Sequence, residues 1–126
     1  MNDIKLSPEE IKARLDQNIG TSQWYRHTST ILYTDGVQEM AELCEAYWLI
    51  DAICFNIIGK RRLRSESFIN CVLTVTENEE SRSAELKFDD GNDYFLYKQD
   101  IPATDFPLKE IQFFFINNVL LLPSEY

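Results

Sequence analysis

The sequence closes on Ile111-Gln-Phe-Phe-Phe-Ile-Asn-Asn-Val-Leu-Leu-Leu-Pro-Ser-Glu-Tyr126, and no other stretch constrains the fold as strongly. Two apolar runs flank Asn117-Asn118, residues that tolerate positive φ and so suit a two-residue hairpin turn. That turn sets Ile116 opposite Val119, Phe114 opposite Leu121 and Phe113 opposite Leu122. Alternation then places Ile111, Phe113, Phe115, Leu120 and Leu122 on one face. The other face carries Phe114, Ile116, Val119 and Leu121, with Gln112. A hairpin with one solvated face would alternate apolar and polar residues, and this one does not. Each face needs a cover, and a chain of 126 residues has few elements to provide two. Phe114, Ile116, Val119 and Leu121 are therefore the candidate interface, to a second copy or to another protein. In a monomer the short N-terminal helix would have to lie over them.

The length fits one domain, residues 1–126. Such a domain buries roughly two thirds of its unfolded surface, enough for a core without staples. An apolar content of 44%, with 13% aromatics, argues against disorder. No apolar run approaches the roughly 18 residues of a membrane span, so no membrane association is expected. Met1-Asn-Asp-Ile-Lys-Leu6 lacks the basic and apolar regions of a secretory signal, which points to the cytoplasm. Cys44, Cys54 and Cys71 form no CxxC pair and sit among apolar neighbours, as reduced, buried thiols do. Twelve basic and twenty-one acidic residues give a net charge of −9. That balance disfavours nonspecific nucleic-acid binding, which needs clustered Lys and Arg, and favours basic partners.

Ser7-Pro8-Glu9-Glu10 reads as a helix start, with Ile11 and Leu15 on one face and Gly20 as the stop. Residues 21–33 are polar and aromatic, and read as irregular with a short extended piece at Thr30–Tyr33. Thr34-Asp35-Gly36 opens a helix expected to run unbroken to about Ile58. Lys60-Arg61-Arg62 and Arg64 follow it as a solvated basic loop at the negative end of its dipole. Strands are expected at Phe68–Thr76, Ala84–Phe88 and Tyr94–Ile101, before the terminal hairpin. The expected fold is α+β: a short N-terminal helix and one long helix packed on an antiparallel meander of about five strands.

Three groups of polar residues merit a chemical reading. Asp51 sits inside Tyr47-Trp-Leu-Ile-Asp-Ala-Ile-Cys-Phe55, an apolar stretch in which a carboxylate needs a partner. Trp24, Tyr25, Arg26 and His27 offer aromatics and donors, and with Tyr47 and Asp51 they compose a candidate pocket. A structural anchor, with Asp51 accepting from Arg26, His27 or a tyrosine, is the plainer reading of the same residues. Glu77, Glu79, Glu80, Glu85, Asp89, Asp90 and Asp93 are expected at one end of the meander, as an acidic surface that could mimic a phosphate backbone. Asp89-Asp90-Gly91-Asn92-Asp93 lacks the order and distal glutamate of a calcium loop, and one histidine with unspaced cysteines makes no zinc site. No phosphate loop, nucleophile elbow or HExxH motif is present, so no cofactor, metal or catalytic residue is assigned.

Five ordered blocks carry a family likeness: Gly20-Thr-Ser-Gln-Trp-Tyr-Arg-His27, Tyr33-Thr-Asp-Gly-Val37, Ala46-Tyr-Trp-Leu-Ile-Asp-Ala-Ile53, Thr104-Asp-Phe-Pro-Leu108 and Val119-Leu-Leu-Leu-Pro-Ser-Glu-Tyr126. The chain resembles a family of short bacterial proteins known only as a domain of unknown function, over roughly residues 18–126, with the N-terminal helix outside it. The resemblance implies one domain and brings no activity. The function expected from the residues is a non-enzymatic, self-associating interaction module. The alternatives are an acidic inhibitor of a basic site on another protein, and a small-ligand binder or enzyme using Trp24, His27 and Asp51.

Overall fold

A computed structural model describes residues 6–28 and 30–126. The reading of the first residues as lacking a secretory signal falls, for residues 1–5, outside them.

Helix α1 spans Pro8–Asp16 and opens on a reciprocal cap: the Glu10 amide donates to Ser7 Oγ (3.1 Å) and the Ser7 amide to Glu10 Oε1 (2.8 Å). It ends at Asp16, before Gly20. Strands β1 (Trp24–Arg26) and β2 (Leu32–Thr34) follow, then α2 (Asp35–Leu43), α3 (Tyr47–Gly59) and α4 (Arg61–Arg64). Strands β3 (Phe68–Glu77), β4 (Arg82–Asp89), β5 (Phe95–Ile101), β6 (Glu110–Ile116) and β7 (Val119–Leu121) precede a closing 3₁₀ turn at Pro123–Glu125.

The fold is α+β, but it differs from the expected meander in two ways. The sheet has seven strands in the order β1-β2-β7-β6-β3-β4-β5, and β2 runs parallel to β7. β1 and β2 are too short to show periodicity, and the partner of β2 lies at the far end of the sequence. The long helix is also broken. At Glu45 the backbone turns left-handed (φ 50°), and the Ala46 amide bonds the Ala41 carbonyl (2.9 Å). This six-to-one bond and the buried Ala41–Ala46 pair are the hallmarks of a Schellman stop. No glycine or proline marks the place, so the sequence reads as continuous helix there. Lys60–Arg64 forms the single turn of α4 instead of a loop, and Arg64 Nη1 donates to the Ile58 carbonyl at the end of α3 (2.6 Å).

The terminal hairpin has the expected register, with Ile116 against Val119 and Phe114 against Leu121, across a turn with φ of 53° and 65° at Asn117 and Asn118. Its Ile111, Phe113, Phe115, Leu120 and Leu122 join Ile69, Cys71, Leu73, Leu86 and Phe88 in the buried core. The helices lie on that face. Asn56 of α3 donates to Gln99 of β5 (2.6 Å), Lys60 sits 4.5 Å above the Tyr97 ring, and Trp48 packs edge-on to Phe106 (6.4 Å). Helix α1 is on this side too. It is tied to α2 by Arg14–Glu39 (3.4 Å) and Asn18–Glu39 (2.9 Å), and its Leu15 borders a cleft with Leu108, Ile111 and Leu122. It therefore does not cover the second face of the hairpin.

Candidate functional site

Strand alternation and register define the face that no helix covers. One cross-strand row runs Arg26–Leu32–Val119–Ile116–Phe68. The next runs Leu121–Phe114–Asn70–Asp89. Leu32, Phe68, Phe114, Ile116, Val119 and Leu121 are all half-buried. Phe68, Phe114 and Tyr126 form an aromatic cluster with centroids 5.0 to 6.1 Å apart, and Tyr126 remains 77% exposed. Farther along the sheet the same face turns polar. Gln112 donates to Asn70 (2.6 Å), Asn70 to Asp89 (3.1 Å), and Lys98 meets Glu85 (3.4 Å). The apolar area thus occupies β2, β7, β6 and the start of β3.

The structure separates the proposed pocket residues. Tyr25 faces the helices and stacks on Tyr33 (5.4 Å), so its neighbours Trp24 and Arg26 lie on the opposite, bare face. Trp24 is 55% exposed there. Tyr47 accepts from Gln38 Nε2 (2.8 Å) and donates to Glu42. His27 and Asp51 are brought together, with Nε2 2.8 Å from Oδ1. The His27 side chain is 10% exposed and the Asp51 side chain 57%, so the carboxylate within the apolar stretch is not enclosed. Asp51 occupies a solvent-facing position of α3, because the helix is apolar without being enclosed on every side. Phe55, one turn further along α3, covers the imidazole edge (5.2 Å). The pair has the geometry of an anchor fixing the end of β1 to α3. The concavities described on the surface lie elsewhere. One of about 430 Å³ is lined by Ile31, Ile57, Arg64 and the Asn117-Asn118 turn; another, between Trp48 and residues 101–105, is broad and open.

The acidic residues are likewise dispersed. Glu77, Glu79 and Glu80 flank the β3–β4 turn, while Asp89, Asp90 and Asp93 flank the β4–β5 turn. Successive turns of a meander lie at opposite ends of the sheet, so these carboxylates form two groups instead of one surface. Several are spent on local structure. Glu77 pairs with Arg82 (2.9 Å), and Asp90 Oδ1 accepts from the Asn92 and Tyr94 amides (2.8 and 3.1 Å). The three cysteines are buried and unpaired, and burial pushes the Cys44 and Cys54 thiols up to about 12.

A denser cluster surrounds the N-terminus of α2. Glu125 Oε1 accepts from the Thr34 hydroxyl (2.6 Å) and the Leu122 amide (2.9 Å), and Oε2 from the Gly36 amide (3.0 Å). Thr34 Oγ in turn caps the Val37 amide. A Cβ on Gly36 would stand 2.6 Å from Glu125 Oε1 and 2.8 Å from Leu122 Cδ1, so the close approach requires glycine. Asp35 holds the preceding loop: Oδ2 accepts from the Ser22 amide (2.9 Å), the Ser22 hydroxyl (3.1 Å) and the Gln23 amide (3.3 Å), and Oδ1 from the Tyr25 hydroxyl (3.1 Å). The Ser22 backbone amide is the main cause that holds the Asp35 carboxyl below its ordinary range. Two carboxylates at a helix N-terminus match its positive dipole end. Sequence reasoning missed Glu125, since its partners are about ninety residues away. It also missed Leu32 and Phe68 on the bare face. For Phe68 the period-two pattern Phe68, Asn70, Val72, opposite buried Ile69, Cys71 and Leu73, was the available signal.

The likeness blocks therefore meet in space. Thr21, Ser22 and Tyr25 bind Asp35, Thr34 and Gly36 bind Glu125, His27 binds Asp51, and Trp48 packs on Phe106. No curated protein and no solved structure matches the chain. Among the described residues no helix is long and apolar enough to cross a membrane. A family model matches residues 9–126, nearly all of α1 included, which corrects the expectation that the first helix lies outside. On that match the chain belongs to a family of unknown function, DUF6876.

Proposed function

We propose that this protein is a non-enzymatic interaction module that associates with a second copy of itself through the bare face of its sheet. The observation that carries this reading is the continuous apolar row Leu32–Val119–Ile116–Phe68, with Phe114 and Leu121 beside it, left uncovered by the four helices. Fully burying one such side chain from full exposure is worth about 1.5–3 kcal/mol, and a contiguous apolar group left partly open to water marks an interaction surface. The polar clusters support the non-enzymatic part, because Glu125, Asp35 and Asp51 are engaged in holding the loops and helices together.

Sedimentation velocity across micromolar concentrations tests the reading. The expected result is a concentration-dependent dimer that Ile116→Asp converts to a monomer with an unchanged circular dichroism spectrum. Ile116 is half-buried on the bare face, so folding tolerates the charge and the interface does not. A parent chain that stays monomeric up to about 100 μM, a concentration at which even a micromolar complex would be saturated, overturns the proposal.

A further inference from the structure

The helix-covered side of the sheet holds a concavity that the self-association does not use. We propose that this concavity, about 430 Å³ between the end of α3 and the β6–β7 turn, binds a free α-amino acid with an apolar side chain.

Segments remote in sequence build it. Ile31 before β2, Ile57 in the last turn of α3 and Phe115 of β6 form an apolar floor, at 2%, 3% and 7% exposure. The rim is polar. Arg64 closes α4 and Glu66 follows it, while Asn117 and Asn118 come from the hairpin turn. The size lies within the roughly 300–1,000 Å³ of small-molecule sites, and an apolar lining with a few convergent polar groups is their usual composition.

The charges select the ligand. Arg64 and Glu66 carry opposite charges on the rim of one cavity. Among the described residues neither makes an ion pair, with the other or with a third group. The guanidinium is oriented by one bond, from Nη1 to the Ile58 carbonyl (2.6 Å), which leaves most of its N–H donors open. The side-chain amides of Asn117 and Asn118 likewise have no partner among the described residues. The backbone beneath them is fixed, since the Asn118 carbonyl accepts from the Leu32 amide (2.9 Å). Three other concavities differ in this respect, because the cation of each is already paired: Lys12 with Asp16 (3.3 Å), Arg14 with Glu39 (3.4 Å) and Arg82 with Glu77 (2.9 Å).

A cation and a carboxylate that leave each other unneutralised, above an apolar floor, are complementary to a zwitterion with an apolar group. Arg64 receives the carboxylate, which suits the guanidinium fork. Glu66 receives the ammonium group. The side chain displaces water from Ile31, Ile57 and Phe115. A purely apolar ligand would leave both charges unmatched, and a simple anion would meet Glu66 as a like charge.

Titration of the ¹⁵N-labelled whole chain with L-leucine and with L-phenylalanine, followed by NMR, tests the assignment. At least one of them is expected to give saturable shifts at the amides of Ile31, Glu66 and Asn118, with a Kd below about 1 mM. Glycine keeps both charges without the apolar group, and N-acetyl-leucine and leucinamide each lack one charge. All three should bind at least about tenfold more weakly than leucine. Two variants separate the roles. Glu66→Gln should weaken leucine binding at least about tenfold and leave N-acetyl-leucine unchanged, and Arg64→Gln should do the same with leucinamide as the indifferent ligand. No saturation by either amino acid at about 10 mM overturns the proposal. So does binding of N-acetyl-leucine or leucinamide as tight as that of leucine, or an unchanged leucine affinity in Glu66→Gln. Arg64→Gln also removes the bond to Ile58, so circular dichroism accompanies it. If that variant unfolds, Glu66→Gln carries the test, because the Glu66 side chain makes no bond among the described residues.

Discussion

Phe113 and Phe114 are neighbours in β6 and the same residue type, yet Phe113 is fully buried under the helices and Phe114 is half-buried on the bare face. The difference does not lie in hydrophobicity. It lies in where the connections place the helices. β2 leads directly into α2, whose N-terminus is pinned at the end of the sheet by Glu125. The Schellman stop turns the chain into α3 on the same side, and Glu39 fastens α1 there as well. One face receives every helix, and an equally apolar row on the other receives none.

The two faces should respond differently to the same truncation. Phe113→Ala is expected to cost about 3–5 kcal/mol of folding stability, read from the denaturant midpoint. Phe114→Ala should cost about 1 kcal/mol or less in the monomer and should mainly weaken self-association, read by sedimentation. Equal losses of stability would mean that the second face is covered after all. The next largest effect is expected at the closing turn that joins the faces. Glu125→Ala removes acceptors from Thr34, Gly36 and Leu122 and should cost about 1–3 kcal/mol. Gly36→Ala should be less harmful in that background than alone, because the Glu125 carboxylate its Cβ would meet is gone and Leu122 Cδ1 alone remains in the way. Independent, additive effects would argue against the contact.

Smaller effects are expected at the two anchoring carboxylates. Asp51→Asn should lower stability by about 1 kcal/mol or less, since the side chain is more than half exposed and screened although its partner is buried. Asp35 should show itself through pH. Its carboxyl is held below the ordinary value by the Ser22 amide. A depressed folded value means the stabilisation is complete above the unfolded value of about 3.9 and is lost as pH falls through the folded one. Denaturation midpoints measured from neutral pH down to about pH 2 should therefore decline less steeply below pH 4 in Asp35→Asn. An identical acid decline in both proteins would remove Asp35 as an anchor.

Much of the fold was legible because it is written in local chemistry. Ser7 to Glu10 is a cap wherever it occurs, Asn117-Asn118 selects a hairpin, and the β-branched run at Phe68–Thr76, the alternation at Ala84–Phe88 and the turn residues around them mark three strands. The doubly apolar character of the hairpin follows from register alone. The candidate site was less legible. Asp51 and His27 do meet, but Trp24 departs to the other face by the parity of a three-residue strand. The break at Glu45 rests on a backbone conformation that glutamate adopts without announcing it.

By itself the sequence determined the two apolar faces, the caps, the hairpin and the buried cysteines, since these depend on residue order over a few positions. The tertiary structure decided which face the helices cover, that β2 pairs in parallel with β7, and that Glu125 reaches Thr34 and Gly36. Those outcomes depend on contacts between residues about ninety positions apart. Such contacts are chosen by the packing of the whole domain, and no local pattern encodes them.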